Sequence, residues 1–305
     1  MSITENNIYI NSEDKGEESN KQEKLSVIHY LKIIFFTFIV AIIIKSFFIE
    51  AYKIPTGSME NTLLPGDFII VNKTAFALST PSNIPLTPIK IPSVRLLNLF
   101  SPERNEVVVF EHPVSSDRRG NDIYFIKRLI GLPGDTIRID DKNIVVNNNF
   151  IPMPESAIRS EKEIKRKGYR EDRIFPSNQY WNRDNYGPII VPYKGMEIKL
   201  NARNIVEWQN VINHDYGKKV VSVEGSVINV NGTPTRNYTV KKDYYFVLGD
   251  NRDDSMDSRY WGFVPADNMI GEALMIYWSW DPQNEGGISG FFNSIRFSRL
   301  FNIIH

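Results

Sequence analysis

Three short segments carry the side chains best suited to bond-breaking chemistry. The first is Ile54-Pro55-Thr56-Gly57-Ser58-Met59. Pro55 and Gly57 impose an unusual backbone path, and Gly57 lets a neighbouring chain come close. A serine on such a turn can present its hydroxyl as a nucleophile beside backbone N–H groups that stabilise an oxyanion. Most Gly-Ser pairs are ordinary turns, so Ser58 needs a base to be more than that. The second segment, Phe125-Ile126-Lys127-Arg128-Leu129-Ile130-Gly131-Leu132-Pro133-Gly134-Asp135, offers an amine. On a strand alternate residues share a face, so Phe125 and Leu129 flank the Lys127 ammonium with apolar neighbours. A lysine must fall by roughly 3 pH units, about 4 kcal/mol, to act as a base near neutrality. Burial supplies shifts of that size. The competing reading is a surface lysine on a strand edge. The third segment, Gly249 to Gly262, follows an apolar run and mixes carboxylates, arginines and serines. It is either a solvated loop or a hydrogen-bonded floor beneath a site.

Composition removes several other chemistries. The four histidines, His29, His112, His214 and His305, show no metal-ligand spacing. With no cysteine, thiolate zinc sites, disulfides and cysteine nucleophiles are excluded. Lys+Arg and Asp+Glu both total 36, so there is no basic excess of the kind nucleic-acid binders show. Neither a metal nor an organic cofactor is expected, and no nucleic-acid partner.

The elements that must position these residues follow from hydropathy and turn chemistry. Residues 1–25 are polar without an apolar period and are expected to be a disordered tail. Residues 26–49 are almost wholly apolar, with Lys32 and Lys45 near the ends. As a helix this stretch spans roughly 36 Å, enough for a hydrocarbon core of about 30 Å. A buried core helix would show a polar stripe, and a cleavable leader would end in a better small-x-small site than Phe48-Ile49-Glu50-Ala51. A retained membrane anchor is the expectation. Its orientation is poorly marked, because Lys15, Lys21 and Lys24 precede it while Lys53 and Lys73 follow.

Beyond Glu50 the chain breaks into short apolar runs such as Phe68–Val71, Val107–Phe110 and Tyr244–Leu248, separated by turn residues. Asn231-Gly232 after Val227–Val230 is a hairpin signal. Residues 136–151 and 222–238 share a strand-turn-strand pattern with Asn-rich turns, without amounting to a repeat. Residues 155–173, dense in Glu, Lys and Arg, read as a solvated loop or short surface helix. The tail 291–303, apolar with Arg296 and Arg299, reads as a core cap or a membrane-facing patch. A mainly β extramembrane domain over 50–305 follows.

Taken together and in order, these segments resemble the motif boxes of the bacterial type I signal peptidases. Gly-Ser-Met resembles the nucleophile box, Lys-Arg-x-x-Gly-x-Pro-Gly-Asp the base box, and Gly-Asp-Asn-Arg-x-x-Ser-x-Asp-Ser-Arg the closing box. Gly66–Lys73 is similar to the remaining strand box. The resemblance runs from the apolar stretch to about Trp278. It implies a β-sheet catalytic core, about 50–136 and 244–305, with a second β-rich subdomain inserted at about 137–243. It further implies a serine endopeptidase that removes signal peptides from exported preproteins after a small-x-small site. Such an enzyme is held in the inner or plasma membrane by a single pass, its partners the bilayer and the leader peptide, with the catalytic domain on the extracytoplasmic side.

Residue by residue, the resemblance makes Ser58 the nucleophile and Lys127 its general base. Ser255 orients the lysine, and Thr56 offers its hydroxyl to the oxyanion. Asp257 and Arg259 hold the site together, with Arg128 and Asp250 as a supporting ion pair. Ile54, Met59, Leu63, Phe125 and Ile126 become lining for shallow apolar pockets. One departure is visible: Glu60-Asn61-Thr62-Leu63 stands where relatives commonly have x-Pro-Thr-Leu, which removes a backbone restraint and bears on pocket shape. Rival readings remain. A self-cleaving repressor-type protease calls for a DNA-binding helical domain in place of the apolar stretch. A penicillin-binding Ser-x-x-Lys site matches only Ser12-Glu13-Asp14-Lys15. A membrane-tethered scaffold that binds exported proteins without cutting them is the third.

Overall fold

The computed structural model describes residues 12–305 except 82–86, 88, 90, 92–93, 117–121, 155–156, 158–162 and 284–286. Helix α1 (Ser12–Phe47) opens the described chain. Its stretch Val27–Phe47, 21 residues and none of it buried, is long and apolar enough to cross a membrane. The polar tail expected to lack structure is therefore helical from Ser12, while residues 1–11 lie outside the described residues. Helix cooperativity explains the difference. Nucleation is the costly step, and Glu, Lys and Gln extend an existing helix at little cost.

Strands β1 (Ile49–Lys53), β2 (Asp67–Asn72), β3 (Ala77–Ser79), β4 (Arg95–Asn98), β5 (Val107–Ser116) and β6 (Asp122–Gly131) follow. The inserted region holds β7 (Thr136–Asp140), β8 (Asn143–Val146), β9 (Asn149–Ile151), β10 (Tyr186–Ile190) and β11 (Glu197–Lys199). Helix α2 (Ile205–Tyr216) comes next, then β12 (Val221–Glu224), β13 (Val227–Val230), β14 (Thr233–Pro234) and β15 (Asn237–Thr239). The chain then runs through β16 (Tyr244–Leu248), α3 (Ser258–Trp261), β17 (Val264–Pro265), β18 (Met269–Ser279) and α4 (Gly287–Ser294). The fold is mainly β, with one N-terminal apolar helix.

Seven strands form one antiparallel sheet in the order β1-β2-β18-β5-β6-β16-β17. Strands from both sides of the insertion alternate in it, so residues far apart in sequence become neighbours. Burial explains the strand sequences. In β2 every second residue is buried, Asp67, Ile69 and Val71 facing in. All five residues of β16 are buried, as its unbroken apolar run requires.

The inserted region is not a separate body. Ile130, Tyr244, Phe246 and Leu248 of the large sheet share one core with Ile137, Ile139, Ile144 and Tyr186 of the insert. It is also less purely β than its sequence suggests: α2 buries Ile205, Trp208, Val211 and Ile212 against that core, one face of a helix. The two segments of similar pattern fold alike, as three-stranded meanders β7-β8-β9 and β12-β13-β14. Their second turns, Asn147-Asn148 and Asn231-Gly232, both have positive φ at each central residue, the geometry that favours Asn and Gly in two-residue hairpins. Within the charged stretch, residues 163–173 form neither helix nor strand, and Lys165 pairs with Glu171 at 2.7 Å. The C-terminal segment caps the sheet: Ile304 is buried, Ile303 bridges to Met275, and Arg299 pairs with the buried Asp67 at 2.6 Å.

Candidate active site

Ser58 sits on the turn that links β1 to β2. Glu60 N donates to Gly57 O at 3.0 Å and Leu63 N to Met59 O at 2.7 Å, closing the turn. Asn61 takes a φ of 74°, a left-handed conformation that Asn tolerates and Pro cannot adopt. The loop after β16 fastens this turn in place. Asn251 N donates to Ser58 O at 3.1 Å, Asn251 Nδ2 to Gly57 O at 3.1 Å, and Thr62 Oγ1 to Asp250 Oδ2 at 2.6 Å.

Lys127 arrives on β6, between β5 and β16. Strand alternation turns Phe125, Lys127 and Leu129 to one face, and the ammonium lies 5.4 Å from the Phe125 ring centre. Lys127 is 2% exposed. Its Nζ donates to Ser58 Oγ at 2.7 Å and to Ile126 O at 2.9 Å. Burial brings its pKa down from 10.5 to about 8, against the opposing pull of the Asp257 and Asp250 carboxylates. An amine in that range, in contact with a hydroxyl, can exchange a proton with it near neutral pH. The Ser58 backbone N–H makes no hydrogen bond among the described residues, and the Thr56 side chain is exposed on the same bend.

Beneath the pair lie two buried ion pairs. Arg128 binds Asp250 through Nε to Oδ1 at 2.8 Å and Nη2 to Oδ2 at 2.6 Å, and its Nη1 donates to Asn105 O at 2.6 Å. Arg259 binds Asp257 through Nε to Oδ1 and Nη2 to Oδ2, both at 2.8 Å. Burial alone would raise the Asp257 carboxyl, but the Arg259 guanidinium outweighs it and holds the pKa below its ordinary value. Asp257 Oδ2 also accepts Gly249 N at 3.1 Å. Ser255 is buried on this loop, and its hydroxyl makes no hydrogen bond to Lys127.

The expected pocket residues do not all gather. Ile54, Met59 and Leu63 are buried together with Ile69 and Val109, and half-buried Tyr52 and Ile126 pack at the edge of that cluster. Phe125 shares its face of β6 with Lys127 rather than with Ile126, and packs against Phe110 in a second cluster that includes Trp261. Adjacent residues of a strand cannot line one face. His112 lies against Phe125 and Trp261, ring centres 4.7 and 5.3 Å apart, and burial followed by the nearby Lys127 charge lowers it to about 4. It is thus neutral at physiological pH.

Several residues carry roles that the sequence motifs containing them did not assign. A Cβ on Gly249 would collide with Ser255 Oγ and the Ser58 carbonyl, so this glycine lets the loop close on the nucleophile turn. Thr62 and Asn251 staple that turn. Asp67 accepts from Ser279 Oγ at 2.6 Å and from Leu64 N at 2.8 Å besides pairing with Arg299. In the sequence Asp67 stood within the strand box Gly66–Lys73, with no role of its own.

Comparison with known proteins matches residues 27–278 to the family described as "Signal peptidase, peptidase S26". A signal peptidase I of Buchnera aphidicola subsp. Schizaphis graminum is 33% identical over 284 residues, 90% of this chain and 80% of its own. That of Aquifex aeolicus is 31% identical over 260 residues, 81% and 82% of the two chains. That of Pseudomonas aeruginosa is 28% identical over 279 residues, 88% and 78%.

Proposed function

We propose, from the premise that this chain belongs to the signal peptidase family, peptidase S26, that it is a membrane-anchored endopeptidase in which Ser58 attacks and Lys127 acts as general base. One observation carries this reading: the Lys127 amine, 2% exposed, lies 2.7 Å from the Ser58 hydroxyl.

In this mechanism neutral Lys127 takes the Ser58 proton as Oγ attacks the scissile carbonyl. The resulting oxyanion is met by the Ser58 N–H and the Thr56 hydroxyl. Lys127 then passes its proton to the departing amine, leaving an ester on Ser58. A water gives a proton to Lys127 as it attacks that ester, and the proton returns to Ser58 Oγ as the acid departs. Ser255, buried on the loop after β16, is the hydroxyl assigned to orient the amine. The cluster of Ile54, Met59, Leu63 and Ile126 forms the floor on which small residues before the cut are accepted.

α1 holds the domain on the extracytoplasmic face. Ser58 follows the helix end at Phe47 by eleven residues, so even a fully extended chain keeps it within about 40 Å of that end. A substrate with its own apolar segment in the same bilayer presents its cleavage site at a comparable height.

The test is cleavage of a preprotein bearing an Ala-x-Ala site by wild type, Ser58→Ala and Lys127→Ala. Both variants are expected to fold and to lose activity. Cleavage that survives in Ser58→Ala would return the scaffold reading, or a different protease site, to first place.

A further inference from the structure

Four aromatic rings close on one another beside Lys127. Lys127 pairs with Val108 and Phe125 with Phe110 across β5 and β6, so these four side chains share one face. His112, two residues after Phe110, continues that face. Ring centres lie 6.3 Å apart for Phe125 and Phe110 and 5.8 Å for Phe110 and Trp261. They lie 5.3 Å apart for Trp261 and His112 and 4.7 Å for His112 and Phe125, which closes the cycle. His112 makes its two shortest contacts.

The cycle joins two elements on which the base depends. Phe125 comes from the lysine strand, its ring centre 5.4 Å from Lys127 Nζ. Trp261 ends α3, whose N-cap is Asp257 of the buried ion pair. Phe110 is fully buried and Trp261 nearly so, whereas Phe125 and His112 are half-buried. His112 therefore stands on the wet side, wedged between the ring beside the amine and the helix that follows the closing loop. Within the cycle only its ring can take up a proton. Burial first, then the charges of Lys127 and His214, lower it to about 4, so it is neutral at pH 7. The carboxylates of Asp257 and Asp250 act on Lys127 from the other side. Removing a neutral imidazole takes no charge from the site and alters only what shelters the amine.

We propose that His112 is a positioning residue for the general base, holding the Phe125 ring beside the Lys127 amine and keeping water from it. This rests on the reading of Ser58 and Lys127 as a catalytic pair. A truncated side chain at 112 frees Phe125 to swing outward and admits water to Nζ, which favours the charged amine. The base is then neutral only at higher pH.

The test is the pH profile of kcat/KM, from pH 6 to 10, for cleavage of an Ala-x-Ala preprotein by the full chain. In wild type the acid limb is expected to end near pH 8. In His112→Ala it is expected to move up by about one pH unit, a loss of about tenfold at pH 7 that is recovered by pH 10. His112→Phe restores the ring contacts and is expected to return the limb to its wild-type place. Should His112→Ala not fold, His112→Gln carries the same expectation, because it keeps bulk without a ring. An equal loss at every pH, a limb that stays near 8, or a Phe variant that behaves like Ala would overturn the proposal and leave the catalytic pair standing. A wild-type profile with no limb, or cleavage by Lys127→Ala, would instead sink the pair itself.

Discussion

The loop from Asp250 to Arg259 is held from two sides, and the two sides use charge differently. From the catalytic sheet, Arg128 grips Asp250, and within the loop Arg259 grips Asp257; all four side chains are at most 2% exposed. From the insert, Lys142 reaches Asp253 Oδ2 at 3.1 Å and Arg183 Nη1 reaches the Asp253 carbonyl at 3.2 Å, with 11% and 19% of the two side chains exposed. The Arg183 carbonyl in turn accepts Arg259 Nη1 at 3.2 Å. The buried pairs are bidentate and make further hydrogen bonds to backbone, so each forbids other arrangements of the loop. The insert's contacts are longer and wetter, so they trim the loop's position rather than dictate it. A charge specifies geometry most strongly where water cannot substitute for its partner.

Breaking a buried pair should have the largest effect. Arg259→Ala leaves Asp257 charged and without its guanidinium, and is expected to cost about 3–5 kcal/mol in urea unfolding, with activity lost. A cost below 1 kcal/mol would mean that the buried pair is no stronger than the outer one.

Lys127 provides the opposite sign. It is a buried amine whose pKa falls from 10.5 to about 8, so the folded state binds fewer protons than the unfolded state between those values. Stability from this group is therefore lowest below pH 8 and recovers as pH rises toward 10.5. Lys127→Met is expected to be inactive yet more stable at pH 7, by about 1–3 kcal/mol. That gain should shrink across this window, as denaturant curves at pH 7 and pH 10 would report. Under the proposed mechanism kcat/KM should also rise about tenfold per pH unit below 8 and level above it. A flat profile from pH 6 to 9 would contradict a lysine base.

The insert's contacts should give the smallest change. Lys142→Met is expected to cost about 1 kcal/mol or less, lowering kcat severalfold with KM unchanged, and Lys142→Arg should restore kcat. A loss of stability as large as that of Arg259→Ala would erase the contrast between the two sides.

Much of this was legible before any coordinates. The apolar run at 26–49, the turn residues and the strand-length runs give a helix followed by a β body, because periodicity and turn chemistry are local properties. Lys127 could be placed on an apolar strand face for the same reason. The roles of Gly249 and Asp67 could not be read, because the atoms they accommodate or bind lie up to 232 residues away. Phe125 and Ile126 fall in different apolar clusters because adjacency in sequence reverses the face on a strand.

By itself, the sequence determined the kinds of element, the order of the chemical segments and the residue types able to act. Tertiary structure alone decided that Ser58, on the turn after β1, meets Lys127 on β6, four places along the sheet order from it. It also decided that the amine is dry enough to titrate near 8. Proximity across a sheet and exclusion of water are properties of the whole packing, which no local stretch of residues contains.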